Sequence, residues 1–98
     1  MNYISPKDWI EKYAQDIHYH LIDIREPYEC VDCQIVCERI PMNELAEHPE
    51  RLNSEKNNVL MCHSGKRAEA LANLIETEFN ISNLTVIEGG YTALVELI

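Results

Sequence analysis

A chain of 98 residues supports one hydrophobic core and is too short for two, so residues 1–98 are expected to form one domain. Seventeen acidic residues against eight basic ones give a formal charge of -9, which repels nucleic acid and anionic membrane surfaces and suits a protein partner with a basic face. Apolar runs are no longer than segments such as Val59-Leu60-Met61-Cys62, and the N-terminus lacks the basic, apolar and small-residue stretches of a secretory signal. No membrane span is expected, the cytoplasm is the expected compartment, and the four cysteines are expected to be reduced.

Taken in chain order, Ser5-Pro6-Lys7-Asp8 predicts a helix start. Ser5 caps, Pro6 suits the first helical position and Asp8 favours the positive end. That helix is expected to reach about Ala14 with Trp9 and Tyr13 on one face. Tyr19 to Ile24 predicts a strand, ended by the corner before Pro27, which starts a short helix. The stretch from Glu29 to Cys37 is ambiguous. Ile40-Pro41 ends a short strand, because the residue before proline is driven to extended geometry. Asn43 is expected to cap the next short helix, which Pro49 interrupts. Asn57-Asn58 predicts a turn before a strand from Val59 to Cys62 that is buried on both faces. Ala68, Leu71, Ala72, Ile75 and Phe79 fall on one face of a helix. Leu84 to Ile87 predicts a strand, Gly89-Gly90 a turn, and Tyr91 to Ile98 a terminal helix packing through Tyr91, Leu94 and Leu97. Strands alternating with helices at this spacing imply an α/β fold with a central parallel sheet flanked by helices and wound with right-handed crossovers.

In such sheets ligands gather where strands end and helices begin, and Cys62 sits at such an end with Gly65 three residues on. The loop Cys62-His63-Ser64-Gly65-Lys66-Arg67 can turn its backbone N–H groups toward one centre, and the helix that follows adds partial positive charge. That field, with Lys66 and Arg67, favours thiolate over thiol at Cys62 and also suits the anionic end of a persulfide.

Four segments resemble the single-domain rhodanese-like sulfurtransferases. They are Leu21-Ile22-Asp23-Ile24-Arg25-Glu26-Pro27-Tyr28-Glu29, Ile40-Pro41-Met42-Asn43-Glu44-Leu45, Val59 to Arg67, and Val86-Ile87-Glu88-Gly89-Gly90. The resemblance implies a small rhodanese-like domain in which Cys62 is the sulfur acceptor and His63, Ser64, Gly65, Lys66 and Arg67 complete the active loop. It also implies that Asp23 and Arg25 stand beside the loop and hold its geometry and charge; the competing reading is a surface ion pair. The implied substrates are thiosulfate or another persulfide donor, with a thiol, cyanide or a sulfur carrier protein as acceptor, and no cofactor or metal is implied. The alternative is a non-catalytic binding or redox-sensing module on the same fold. A cysteine phosphatase needs Cys-x5-Arg, which would put arginine where Ala68 stands.

The chain departs from the family pattern in two places. Cys33-Gln34-Ile35-Val36-Cys37-Glu38 replaces the usual Gly-His-Ile-Pro-Gly-Ala, and Leu94 stands where the family has tryptophan. Cys30, Cys33 and Cys37 have the i, i+3, i+7 spacing of one helix face, which suits buried packing better than a metal site. His18, His20 and His48 are expected at solvent or sheet edges, and His63 at the loop entrance.

Overall fold

The computed structural model describes residues 1–30 and 35–98. Strand β1 (Asn2–Ile4) leads into α1 (Pro6–Asp8), which continues as a π-helical segment over Trp9–Tyr13. Strand β2 (Tyr19–Asp23) is followed by a 3-10 turn at Pro27–Glu29, β3 (Glu38–Arg39), α2 (Met42–Glu47) and a second 3-10 turn at Pro49–Arg51. Then come β4 (Asn57–Met61), α3 (Lys66–Phe79), β5 (Leu84–Ile87) and α4 (Gly90–Val95). The five strands form one sheet in the order β1-β5-β4-β2-β3, and every pairing is parallel.

The strand alternation builds two cores, one on each face. Ile22, Leu60, Leu84 and Val86 point to one side, where Leu45 of α2 and Ala68, Leu71, Ala72 and Ile75 of α3 cover them. Leu21, Val59, Met61 and Ile87 point to the other, where Trp9 and Leu94 close the layer. Central strand β4 is therefore apolar on both faces from Val59 onward, as expected of a parallel strand between helical layers. None of the helices among the described residues is long and apolar enough to cross a membrane.

Several local expectations are corrected. Strand β1 has no counterpart in the sequence reading: three residues carry too little pattern, and they are extended because Asn2, Tyr3 and Ile4 pair with Thr85, Val86 and Ile87. Ser5 does cap, accepting the Asp8 N–H at 3.1 Å, but the helix loosens to π-type spacing at Trp9. Pro41, not Asn43, occupies the N-cap position of α2. Asn57 and Asn58 belong to β4 rather than a turn. The buried Asn58 amide donates to the Asn53 carbonyl at 2.9 Å, and its oxygen accepts the Asn53 N–H at 2.9 Å, so its polarity is spent on fixing the incoming loop. Phe79, the last residue of α3, is 49% exposed, and Leu97 is 54% exposed because α4 ends at Val95 rather than continuing to Ile98.

The four core positions of α3 differ sharply from Phe79 in burial. Ile75→Ala is expected to lower the unfolding free energy by about 2–5 kcal/mol, and Phe79→Ala by about 0.5 kcal/mol or less. Urea denaturation of the two variants checks the contrast.

Candidate active site

Three parallel strands end at one edge of the sheet, and each delivers part of a single cluster. β4 delivers Cys62, β2 delivers Asp23 and Arg25, and β5 delivers Gly89, Gly90 and Tyr91. The segment from Cys62 to Gly65 turns directly into α3, with Gly65 in the left-handed region at φ 97°. This turn brings two N–H groups onto the Cys62 sulfur: Gly65 donates at 3.1 Å and Ala68 at 3.3 Å. Both complement negative charge on sulfur. Cys62 is fully buried, whereas His63, Ser64 and Lys66 are exposed around it.

The second wall comes from the start of α4. Tyr91 donates its N–H to the Cys62 carbonyl at 2.7 Å, and Thr92 donates to the His63 carbonyl at 3.1 Å. The Thr92 hydroxyl also lies 3.3 Å from the His63 ring, which places that ring on the rim. The approach requires glycine at position 90, where φ is 63° and a Cβ would stand 2.3 Å from the Cys62 carbonyl oxygen.

Asp23 and Arg25 form a buried pair, 1% and 5% exposed, so the surface ion-pair reading is overturned. Asp23 Oδ1 accepts the Arg25 backbone N–H and Nε, both at 3.0 Å, and Oδ2 accepts Nη2 at 2.9 Å. Burial works against the Arg25 cation, but the hydrogen bonds to Asp23 outweigh it and hold the guanidinium above its ordinary pKa. Arg25 then reaches in two directions: it lies 3.9 Å over the Tyr91 ring, and Nη1 donates to the Glu29 carbonyl at 3.1 Å.

Arg67 points outward to Glu29, donating through Nη1 at 2.9 Å and Nη2 at 2.8 Å. The Glu26 N–H adds a hydrogen bond to the same carboxylate at 3.1 Å. The Arg67 hydrogen bonds hold the Glu29 carboxyl down at about 2, from an ordinary 4.5, and Glu29 in turn raises the Arg67 guanidinium. Glu29 is the neighbour of the loop that the sequence did not single out; it stood only as the last residue of the segment from Leu21 to Glu29.

The other cysteines divide. Cys37 and Cys62 carry free thiols, whereas Cys30 is disulfide-bonded, which corrects the expectation of a fully reduced chain. Burial, followed by the charge of Asp23, pushes the Cys37 thiol up, and its Sγ lies 3.7 Å from the Ile35 carbonyl oxygen. Cys30 and Cys37 lie outside any helix, so the single-face stack does not describe them, and Cys33 falls outside the described residues. Among the described residues no group of three His, Cys, Asp or Glu is placed to hold a metal. His20 and His48 have acidic partners in Glu38 and Glu50 at 2.6 and 2.9 Å, and His18 is exposed.

A cysteine at the carboxyl end of a central parallel strand, inside a loop that opens a helix, defines an α/β domain with a cysteine-bearing strand–loop–helix unit. The chain belongs to the rhodanese-like domain family, whose profile matches residues 6–97. Among solved structures it is similar to a rhodanese-related protein from Thermoplasma volcanium, with 27% identity, a TM-score of 0.79, and coverage of 99% of this chain and 93% of that one. A protein from Staphylococcus saprophyticus subsp. saprophyticus matches with 25% identity and a TM-score of 0.75 over 96% of this chain and 93% of that one. An NAD-dependent persulfide reductase from A. fulgidus shares the fold at 18% identity and a TM-score of 0.67, over 94% of this chain and 16% of its own. Comparison with curated protein sequences finds no match.

Gly90→Ala is expected to cost about 1–3 kcal/mol in unfolding free energy, because strained φ and a backbone clash coincide there; thermal melting checks it. The folded carboxyl of Glu29 lies below its unfolded value, so its contribution is complete above about pH 4.5 and is lost as pH falls toward about 2. Glu29→Gln is therefore expected to lower stability at pH 7 by about 1 kcal/mol or less, given that the Arg67 side chain is 39% exposed and solvent screens the pair. The difference from wild type should shrink toward zero near pH 2, as read by denaturant unfolding at both pH values.

Proposed function

We propose that the protein is a sulfurtransferase that carries sulfane sulfur as a persulfide on Cys62. The observation that carries this reading is the convergence of the Gly65 and Ala68 N–H groups on the Cys62 sulfur. In the first half-reaction the sulfur anion of Cys62 attacks the outer sulfur of thiosulfate. The S–S bond of the donor breaks, its electron pair leaves on sulfite, and a persulfide forms. In the second half-reaction a thiolate or cyanide attacks the terminal sulfur, the bond to Cys62 Sγ breaks, and the electron pair returns to Cys62. Each half is a displacement at sulfur that balances without an external electron carrier.

The loop residues take distinct parts in this cycle. Gly65 makes the turn and gives one N–H, and the start of α3 gives the other. His63, Ser64 and Lys66 line the mouth, where an incoming donor meets them first. Asp23 and Arg25 act as positioning residues: Asp23 fixes Arg25, which stacks on Tyr91, which holds the Cys62 carbonyl. Phosphoryl transfer is disfavoured on two grounds. Position 68 is alanine, and the loop's one arginine is engaged by both carboxylate oxygens of Glu29 rather than offered to a tetrahedral oxyanion.

On this reading residues 1–98 act as one domain in the cytoplasm, on a small sulfur compound or on a sulfur donor or carrier protein. Incubation with thiosulfate, removal of excess donor and intact mass spectrometry test it. A gain of one sulfur atom is expected for the wild type and not for Cys62→Ser. A gain that persists in Cys62→Ser, on Cys30, Cys33 or Cys37, would overturn the assignment.

A further inference from the structure

The active loop carries little net positive charge outward. Both terminal nitrogens of Arg67 are held by both oxygens of Glu29, and Glu29 is itself locked by the Glu26 N–H. The guanidinium of Arg25 is likewise spent on buried Asp23. Beside the loop a cavity of about 350 Å³ is lined by Lys66 together with two carboxylates, Glu69 and Glu88. The charged groups on and beside the loop are therefore one exposed ammonium, two carboxylates and a guanidinium that is already neutralised.

We infer that Glu29 is a specificity-determining residue that turns the site away from dianionic donors and toward organic persulfides of low charge. This rests on the sulfurtransferase reading of Cys62. Thiosulfate brings two negative charges and gains most from a free guanidinium at the mouth; in this loop Glu29 occupies that partner and adds a charge of the same sign as the donor. A persulfide R–S–SH with an uncharged R group forfeits less. In that transfer the Cys62 anion attacks the terminal SH sulfur, the S–S bond of the donor breaks, and R–S⁻ leaves with the electron pair. The proton stays on the transferred sulfur. The backbone N–H groups of Gly65 and Ala68 serve either donor, because they act only at the sulfur itself. Glu29 thus works through Arg67 and touches neither donor nor Cys62.

The test compares thiosulfate with hydroxyethyl persulfide as donors to the wild type, Glu29→Gln and Glu29→Asp. Glu29→Gln is expected to lower the KM for thiosulfate about fivefold relative to that for hydroxyethyl persulfide, the upper range for release of one partly exposed ion pair. Glu29→Asp retains the charge and is expected to keep the wild-type ratio. Equal shifts for both donors, no shift for either, or an Asp variant that behaves like Gln would overturn the inference. Should Glu29→Gln fail to fold, the wild type decides: raising salt is expected to lower its KM for thiosulfate and not that for the persulfide, and parallel responses would overturn it. A wild type that loads sulfur from neither donor overturns the sulfurtransferase reading itself, an outcome distinct from loading with an unaltered donor ratio.

Discussion

The structure depends on one close approach: the backbone at Gly90 lies against the backbone of the loop from Cys62 to Gly65. A Cβ at position 90 would meet the Cys62 and His63 carbonyl oxygens and the Gly65 nitrogen at 2.3, 2.7 and 2.8 Å. Two chain segments can come so near only where both strands, β4 and β5, run parallel as neighbours and end at the same level. Once they do, Tyr91 and Thr92 bond the Cys62 and His63 carbonyls, while the Gly65 and Ala68 N–H groups are directed at the Cys62 sulfur. The cradle thus follows from sheet register more than from any single side chain.

A second layer of constraint is ionic and runs from the interior outward. Asp23, fixed at the end of β2, orients Arg25; Arg25 bonds the Glu29 carbonyl; the Glu29 carboxylate bonds Arg67 on the opposite element. Negative and positive groups alternate along this path, so burying its inner half leaves no charge unpaired. The path also ties the 3-10 turn after β2 to the first turn of α3.

The parts of this arrangement legible in the sequence are those written in local periodicity or in short motifs. The buried run of β4, the face of α3 built from Ala68 to Ile75, and the sequence from Asp23 to Pro27 each announce themselves within a few residues. What was not legible is set by partners distant in the chain. β1 is a strand because β5 lies beside it, more than 80 positions away. Asn58 reads as a turn residue because asparagine often ends strands, yet its amide is consumed by Asn53 and its backbone by the sheet. Cys30 gave no sign of its disulfide state, and Glu29 no sign of its partner Arg67, 38 residues on.

The two kinds of positive potential at this site have different ranges, and that difference shapes its chemistry. Side-chain cations attract anions across many ångströms, whereas backbone N–H dipoles act only within hydrogen-bond distance. Here the nearby cations Arg25 and Arg67 are each matched by a carboxylate, while the dipoles of Gly65 and Ala68 remain directed at the sulfur. In a chain of formal charge -9, the Cys62 sulfur therefore receives two short-range N–H dipoles, while Lys66 is the loop's exposed side-chain cation without a carboxylate paired to it among the described residues. For the sulfurtransferase proposed above, this means that a donor is brought in by its shape or by a partner surface, and that the loop acts on charge at sulfur only after arrival. That ordering separates carrying sulfur from collecting it.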